Sequence, residues 1–318
     1  MISLSQLANN LIKETKVAII CHVRPDGDTI GSACALSLAL KSLNISAQVF
    51  CEDTLPEKFL FLPADISCDN IDLSVGYSAL IAVDCAEITR LGKYAEQFMS
   101  FNNTYNVDHH ISNTRYAKHN YVVDLSANAI NVYNIITQLN CKIDKVMANF
   151  LSMGIMTDTG NFTHKNVDAN ALLIASKLVE LGADQNEIYY QTFKKQTKNR
   201  AKLFGTTMSR LRFFHSDRLA IATIFLSDLN ITGANQSETE GFVDFIMGIE
   251  SVEVGACVME IAPNKFKISL RSKVANVNQV ASSFGGGGHV LASGCQISGE
   301  YEEVIDKLSF AVSRELTD

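Results

Sequence analysis

His22-Val23-Arg24-Pro25-Asp26-Gly27-Asp28-Thr29-Ile30-Gly31-Ser32 follows the apolar run Val17-Ala18-Ile19-Ile20 by a single residue. A short, unbroken apolar run is the signature of a strand buried on both faces of a parallel sheet. The turn behind such a strand is where open α/β sheets place ligands. Three side chains of metal-binding type, His22, Asp26 and Asp28, therefore fall at one strand end. Gly27 lets the chain fold sharply between the two carboxylates, and Gly31-Ser32 opens a helical apolar pattern through Ala33, Leu36, Leu40 and Leu43. Taken alone, an aspartate-rich turn is as readily a solvated helix cap as a metal site.

The same arrangement recurs further along the chain. Ser78-Ala79-Leu80-Ile81-Ala82-Val83 runs into Asp84, and Thr104-Tyr105-Asn106-Val107 into Asp108-His109-His110. The apolar, helical stretch 148–156 ends in Thr157-Asp158-Thr159-Gly160-Asn161-Phe162. Four element ends that each release Asp or His describe a common site better than four independent caps. Five carboxylates with two or three imidazoles and no thiolate pair suit manganese, iron or magnesium rather than a structural zinc. So many anionic groups exceed what one divalent ion needs. They favour two ions about 3.5–4 Å apart bridged by a carboxylate, a pair that generates a nucleophile at neutral pH, clamps phosphate oxygens and stabilises a departing oxygen. Phosphate-ester hydrolysis is the reaction class this implies.

The order of elements sets the fold class. Strands are expected near 17–22, 46–50, 78–84, 104–108 and 121–124, with helices at 29–43, 87–100, 127–139, 144–156 and 168–181. This is the alternation of an α/β doubly wound parallel sheet. The polar, basic stretch 191–200 has no apolar stripe and reads as a connection, helical or extended. Strands near 210–215, 219–226, 253–260 and 265–271, a helix over 240–249 and another after Tyr301 then make a second, smaller mixed α/β domain, expected across a cleft from the first. The expected division is residues 1–190, a linker at 191–205, and 206–318.

Composition narrows the partners. A formal charge of −7 argues against a broad basic face for long nucleic acid. It leaves short substrates held by metals and a few local cations. Eight cysteines carry no C-x-x-C pair and read as buried free thiols. No apolar run reaches the roughly 20 residues of a membrane-spanning helix, and residues 1–11 lack a signal-peptide pattern. A cytoplasmic location is expected, and a homodimer is left open.

Together these motifs resemble the DHH phosphoesterase superfamily. The four metal-type stretches match its four motifs. The second half resembles the DHH-associated nucleotide-binding domain through Ser269-Leu270-Arg271-Ser272-Lys273, Asn276-Val277-Asn278, Phe284-Gly285-Gly286-Gly287-Gly288-His289 and Ala292-Ser293-Gly294. The resemblance covers nearly the whole chain and is to the two-domain bacterial nano-RNase and pAp phosphatase subgroup. It implies that His22, Asp26 and Asp84 hold one manganese. Asp28, Asp84, His109 and Asp158 would hold the other, with Asp84 bridging and magnesium or iron(II) as substitutes. It further implies that Asp108 orients the histidine behind it, and that His110 contacts the scissile phosphate and protonates the leaving oxygen. One departure stands out: relatives often carry a Glu shortly after a Ser-x-x-Ala element, whereas Ser126-Ala127-Asn128-Ala129 is followed by Ile130 and Asn131.

In the second half, a glycine run admits an anion to backbone N–H groups, though a bare run is more commonly a flexible turn. Arg271 and Lys273, alternate residues of a strand, share a face. By the resemblance Arg271, Ser272, Lys273, the run 285–288 and His289 form the nucleotide grip. His119, His164 and His215 lack ligand spacing and read as ordinary hydrogen-bonding residues; Arg115 is either a phosphate contact or a solvated loop charge. The implied activity is hydrolysis of short oligonucleotides to 5′-mononucleotides and of 3′-phosphoadenosine 5′-phosphate (pAp) to AMP. The alternatives are a cyclic di-AMP or pApA phosphodiesterase, a two-manganese inorganic pyrophosphatase, and an inactive nucleotide-sensing module.

Overall fold

A computed structural model describes residues 1–316, so positions 317–318 of the expected second domain lie outside the described residues. The chain divides into two compact units, Met1–Lys195 and Gln196–Asp318.

The first unit carries strands β1 (Lys16–Ile20), β2 (Ser46–Phe50), β3 (Ile66–Ser67), β4 (Ala79–Val83), β5 (Thr104–Asp108) and β6 (His119–Val122). Its helices are α1 (Leu4–Leu11), α2 (Gly27–Ser42), α3 (Ala95–Ser100), α4 (Asn128–Gln138), α5 (Lys145–Asp158), α6 (Ala169–Glu180) and α7 (Gln185–Tyr189). The six strands lie in the order β3-β2-β1-β4-β5-β6, every neighbouring pair parallel. The strand order reverses between β1 and β4, which makes their carboxyl ends the switch-point crevice of a doubly wound sheet. The apolar runs are buried on both faces, as their lack of alternation requires: Val17 and Ile19 join one core, Ala18 and Ile20 the other.

Helix α2 is buried on almost every side. It packs against α5 so closely that a Cβ at Gly31 would sit 2.3 Å from the Phe150 carbonyl, and one at Gly154 would sit 2.7 Å from Asp28 Oδ1. Glycine at these positions lets the two helices carry Asp28 and Asp158 toward the same point.

One expectation changes here. The helix expected over 87–100 is broken: a 3₁₀ segment, Ile88–Tyr94, precedes α3, and Gly92 within that segment has φ +57. The Lys93 N–H donates to the Glu52 carboxylate, a contact from a distant loop that holds the chain out of helical geometry. The stretch 191–205, read as a connection with helix allowed, overlaps a π-helical turn, Tyr190–Lys194, and contains the start of helix α8 (Lys198–Met208), capped by Thr197. The apolar grip of α8 comes late, through Leu203, with the buried Thr207 one turn on, which is why the polar stretch before it shows no stripe.

The second unit has β7 (Arg212–Phe214), β8 (Leu219–Ile224), β9 (Val254–Ala262), β10 (Lys265–Ser272), β11 (Gly287–His289) and β12 (Ala292–Ser298). Its remaining helices are α9 (Leu226–Thr232), α10 (Phe242–Ile246), α11 (Val277–Ser283) and α12 (Tyr301–Ser313). The sheet is mixed, in the order β11-β12-β10-β9-β8-β7, with only β8 and β9 parallel. Along β10 the side chains alternate: Phe266, Ile268 and Leu270 enter the core, whereas Lys267, Ser269 and Arg271 stand on the other face.

Candidate metal centre and nucleotide face

The crevice between β1 and β4 gathers the titratable side chains of the first unit. His22 lies just beyond β1, and its Nε2 is 3.5 Å from Asp26 Oδ2 and 3.6 Å from Asp84 Oδ2. Its Nδ1 meets the Val23 carbonyl at 2.9 Å. Asp26 has two jobs: Oδ1 caps α2 by accepting the Asp28 and Thr29 N–H groups, and Oδ2 faces His22. The cap and the metal reading of this turn are thus compatible, one per oxygen.

On the other side of Asp84, His109 Nε2 is 3.4 Å from Asp84 Oδ1 and 3.5 Å from Asp158 Oδ2. Its Nδ1 is fixed by the Leu125 carbonyl at 2.9 Å. Asp28 is fully buried and held by the amino end of α4: Oδ2 accepts from Asn128 N at 2.5 Å and Oδ1 from Ala129 N at 2.8 Å. Unpaired N–H groups at a helix start offset the cost of burying that carboxylate.

Electrostatics follow from this crowding. Burial alone would lower the His22 pKa, but Asp26 and Asp84 outweigh it and raise it to about 10. His109 is likewise raised to about 10, burial being overcome by Asp84 and Asp28. Burial and the neighbouring Asp84 and Asp26 charges lift Asp158 to about 6. Asp28 is pushed up by burial and by Asp84 and Asp158.

These residues fit divalent cations. Among the described residues, three groups have donor atoms within 4.8 Å of one another: His22, Asp26 and Asp84; Asp28, His109 and Asp158; Asp84, His109 and His110. Asp84 is common to two. It is buried, adopts φ +54, uncommon for a non-glycine residue, and its Oδ1 has no hydrogen-bond partner. A buried carboxylate oxygen left without a donor, held in a strained backbone between two imidazoles, is an atom awaiting a cation. Oxygen and imidazole donors suit manganese, iron or magnesium.

The Asp108-His109-His110 stretch corrects one expectation. Asp108 Oδ1 pairs with His110 Nδ1 at 2.8 Å and does not orient His109, whose partner is Leu125. β5 ends at Asp108, and beyond it both imidazoles reach Asp84 Oδ1, His109 through Nε2 at 3.4 Å and His110 through Nδ1 at 3.8 Å, which leaves the His110 Nδ1 beside Asp108. Asp108 holds the His110 pKa above the ordinary value, against the pull of burial.

Residues the sequence reading passed over also belong here. The Arg90 guanidinium sits 3.0 Å from His22 Nδ1. Asn113 bonds Asp108, and Asn131, beside the position where relatives often carry Glu, donates to the Asp108 and Val123 carbonyls. Arg90 could have been flagged as the first cation after Asp84, and Asn113 as the amide three residues past His110. The remaining histidines make ordinary contacts: His119 stacks on Tyr105, His164 meets the Asp158 carbonyl and His215 bonds Ser309. Arg115 is exposed.

In the second unit the glycine run is not an open loop. Gly287, Gly288 and His289 form β11, paired with β12 and exposed at the sheet edge. A Cβ at Gly286 would lie 2.2 Å from the Gly294 carbonyl, so glycine there serves close strand approach. Lys267 and Ser269 line a pocket of about 440 Å³ with Gly285 and Gly286, and another of about 370 Å³ with Asp244 and Arg271. Arg271 Nε is 3.3 Å from Asp244 Oδ1. The Lys273 ammonium is turned to the Ile249 carbonyl, and Ser272 Oγ accepts the Val274 and Ala275 N–H groups, holding the turn after β10.

Residues 16–155 match the DHH family, N-terminal domain, and residues 218–318 the DHHA1 domain. The chain belongs to the DHH/DHHA1 phosphoesterase family. It is 31% identical, over 96% of its length and 91% of the relative's, to the bifunctional oligoribonuclease and PAP phosphatase NrnA of Thermus thermophilus. It is 26% identical to the protein of the same name from Bacillus subtilis, over 87% of each chain. An exopolyphosphatase-related protein from Bacteroides fragilis shares the fold, with a TM-score of 0.81, 23% identity and coverage of 98% of this chain and 96% of that one. Among the described residues no helix is long and apolar enough to cross a membrane.

Proposed function

We propose that this chain is a manganese-dependent phosphoesterase that hydrolyses short oligonucleotides to 5′-mononucleotides and pAp to AMP. The observation that carries the reading is Asp84: one buried carboxylate with an imidazole within 3.6 Å of each oxygen, in a chain whose relatives over most of its length are named oligoribonuclease and PAP phosphatase.

His22, Asp26 and Asp84 would hold one cation, and Asp28, Asp84, His109 and Asp158 the other. When bound, such a pair supplies charge neutralisation for the phosphate and a lowered pKa for water. The chain's own groups do the rest. The Leu125 carbonyl takes the Nδ1 hydrogen of His109, which leaves Nε2 as the donor atom. Asp108 holds Nδ1 of His110, so that Nε2 can deliver a proton to the leaving 3′ oxygen. Arg271 and the stretch 285–289 hold the 5′ phosphate. Both substrates are 5′-phosphorylated nucleosides with a phosphoryl group on the 3′ oxygen. Water adds to phosphorus, the bond to the 3′ oxygen breaks, and a 5′-mononucleotide leaves with phosphate or with the shortened chain. The eight cysteines are free, which suits action in the reducing cytoplasm.

The test is turnover of pAp, pApA, 5′-phosphorylated tri- to pentanucleotides, pyrophosphate and cyclic di-AMP with added manganese. We expect pAp and the short linear substrates to be used, and cyclic di-AMP at least tenfold more slowly. Preference for cyclic di-AMP or for pyrophosphate would replace this reading. Absence of turnover with every divalent metal would leave an inactive sensing module.

A further inference from the structure

Asn113 lies in the turn after β5 and folds back across the strand end. Its Nδ2 is 2.6 Å from Asp108 Oδ2, 2.7 Å from Asn106 Oδ1 and 3.3 Å from the carbonyl of Cys85, the residue after Asp84. An amide nitrogen has two hydrogens, so the two short contacts, to Asp108 and Asn106, take both. The orientation of the amide is fixed from its other end, where Oδ1 accepts the Arg115 N–H at 2.6 Å. Its own N–H bonds the His110 carbonyl at 3.1 Å. Asn106 and Asp108 are alternate residues of β5 and share one side of the strand, with His110 just beyond its end, so one amide spans that side. Asn106 is itself fixed, fully buried and donating to the Cys85 carbonyl at 3.1 Å.

We infer that Asn113 is a positioning residue: its 2.6 Å hydrogen bond to Asp108 Oδ2 turns Oδ1 toward His110 Nδ1, and so aims His110 Nε2 at the leaving oxygen. Asp108 lies near Asp84 and has two lone pairs on each oxygen. Among the described residues, Asn113 is the side chain that donates to Oδ2. Without it the carboxylate is free to rotate, and His110 loses its fixed bearing. The inference rests on the proposed role of His110 as proton donor, not on the identity of the nucleotide.

The experiment therefore uses a leaving-group series with Asn113→Ala, His110→Ala and the double variant of the full chain. Substrates are phosphodiesters with p-nitrophenol, phenol or a sugar hydroxyl as leaving group. Asn113→Ala should lower kcat about tenfold to a hundredfold for the sugar hydroxyl with KM within twofold. For p-nitrophenol, which departs without a proton, the change should be under threefold. The double variant should be no slower than His110→Ala. Manganese content should be unchanged. A readout independent of turnover is the ¹H–¹⁵N signal of the His110 Nδ1 proton in metal-free protein, which should be present in the wild type and lost in Asn113→Ala. Equal losses across the series, a further loss in the double variant or an unaltered imidazole signal would each overturn the inference. A wild type that turns over the aryl esters but neither pAp nor oligonucleotides would instead defeat the substrate reading and leave this one standing.

Discussion

Asp84 couples the two donor groups, and its conformation shows what that coupling costs. A residue at φ +54 is tolerated best when it is Asn, Asp or Gly, so Asp84→Asn keeps the backbone preference and the shape while removing the charge. We expect this variant to fold, by unchanged circular dichroism. It should bind fewer than two manganese ions per chain by elemental analysis and lose at least about a hundredfold in turnover, beyond what loss of a supporting contact costs. Wild-type metal content and turnover in Asp84→Asn would refute the shared-carboxylate assignment. The histidines make a second prediction. With His22 and His109 held charged up to about 10, the metal-free protein carries a proton on each at pH 7.5. A cation that takes Nε2 must expel it, so manganese binding should release about two protons and weaken as pH falls. Weakening should steepen near pH 6, where Asp158 also takes up a proton. Calorimetry in two buffers of different ionisation enthalpy measures this directly. Heats independent of the buffer would mean that the imidazoles are not the donors.

At the scale of elements, what could be read from the chain and what could not divides along physical lines. The ends of β1 and β4 were legible because their runs, Val17–Ile20 and Ala79–Val83, are apolar throughout, as a doubly covered strand must be, and a ligand at the end breaks the run. The fracture at Gly92 was not, because it depends on the Glu52 carboxylate from another loop. Nor were β11, β12 and α11, short segments rich in glycine, serine and asparagine: their burial follows strand or helix periodicity in β12 and α11, but too few of the residues are strongly apolar to display it. The α2–α5 contact links element packing to the site. Gly31→Ala adds about 0.5–1 kcal/mol of helix preference. It also forces a methyl to within 2.3 Å of the Phe150 carbonyl, an overpacking that costs about 1–3 kcal/mol. The net should lower the melting temperature by a few degrees. Because α5 ends in Asp158, manganese affinity should fall as well. A variant as stable as the wild type, with unchanged affinity, would show that the close approach does not set the spacing of Asp28 and Asp158.

Among the described residues, the first unit holds the grouped metal donors, and the second offers cations and small residues on the part of its sheet at β10 and β12. The row Gly255–Arg271–Ala292 runs across β9, β10 and β12, as does the row Cys257–Ser269–Gly294; α10 and Met247 cover Gly255 and Cys257, so the low floor beside Arg271 is on the β12 side, at Ala292 and Gly294. Arg271 is already paired with Asp244, but both groups are well exposed, and an exposed pair of this kind contributes at most about 1 kcal/mol. A phosphate can displace it at small cost, gaining about 1.5–3 kcal/mol from a charge-assisted hydrogen bond. If the second unit anchors the substrate and the first hydrolyses it, the two functions must separate by substrate. Arg271→Ala should reduce kcat/KM for a 5′-phosphorylated dinucleotide about tenfold to a hundredfold, the factor that this energy range corresponds to. Hydrolysis of bis-p-nitrophenyl phosphate, which has no 5′ phosphate to anchor, should change less than threefold. Removing the 5′ phosphate from the dinucleotide should cost the wild type as much as the substitution does, and should cost the variant little more. Equal loss of both activities, or indifference of the wild type to the 5′ phosphate, would mean that Arg271 supports the fold of the second unit and does not grip the substrate.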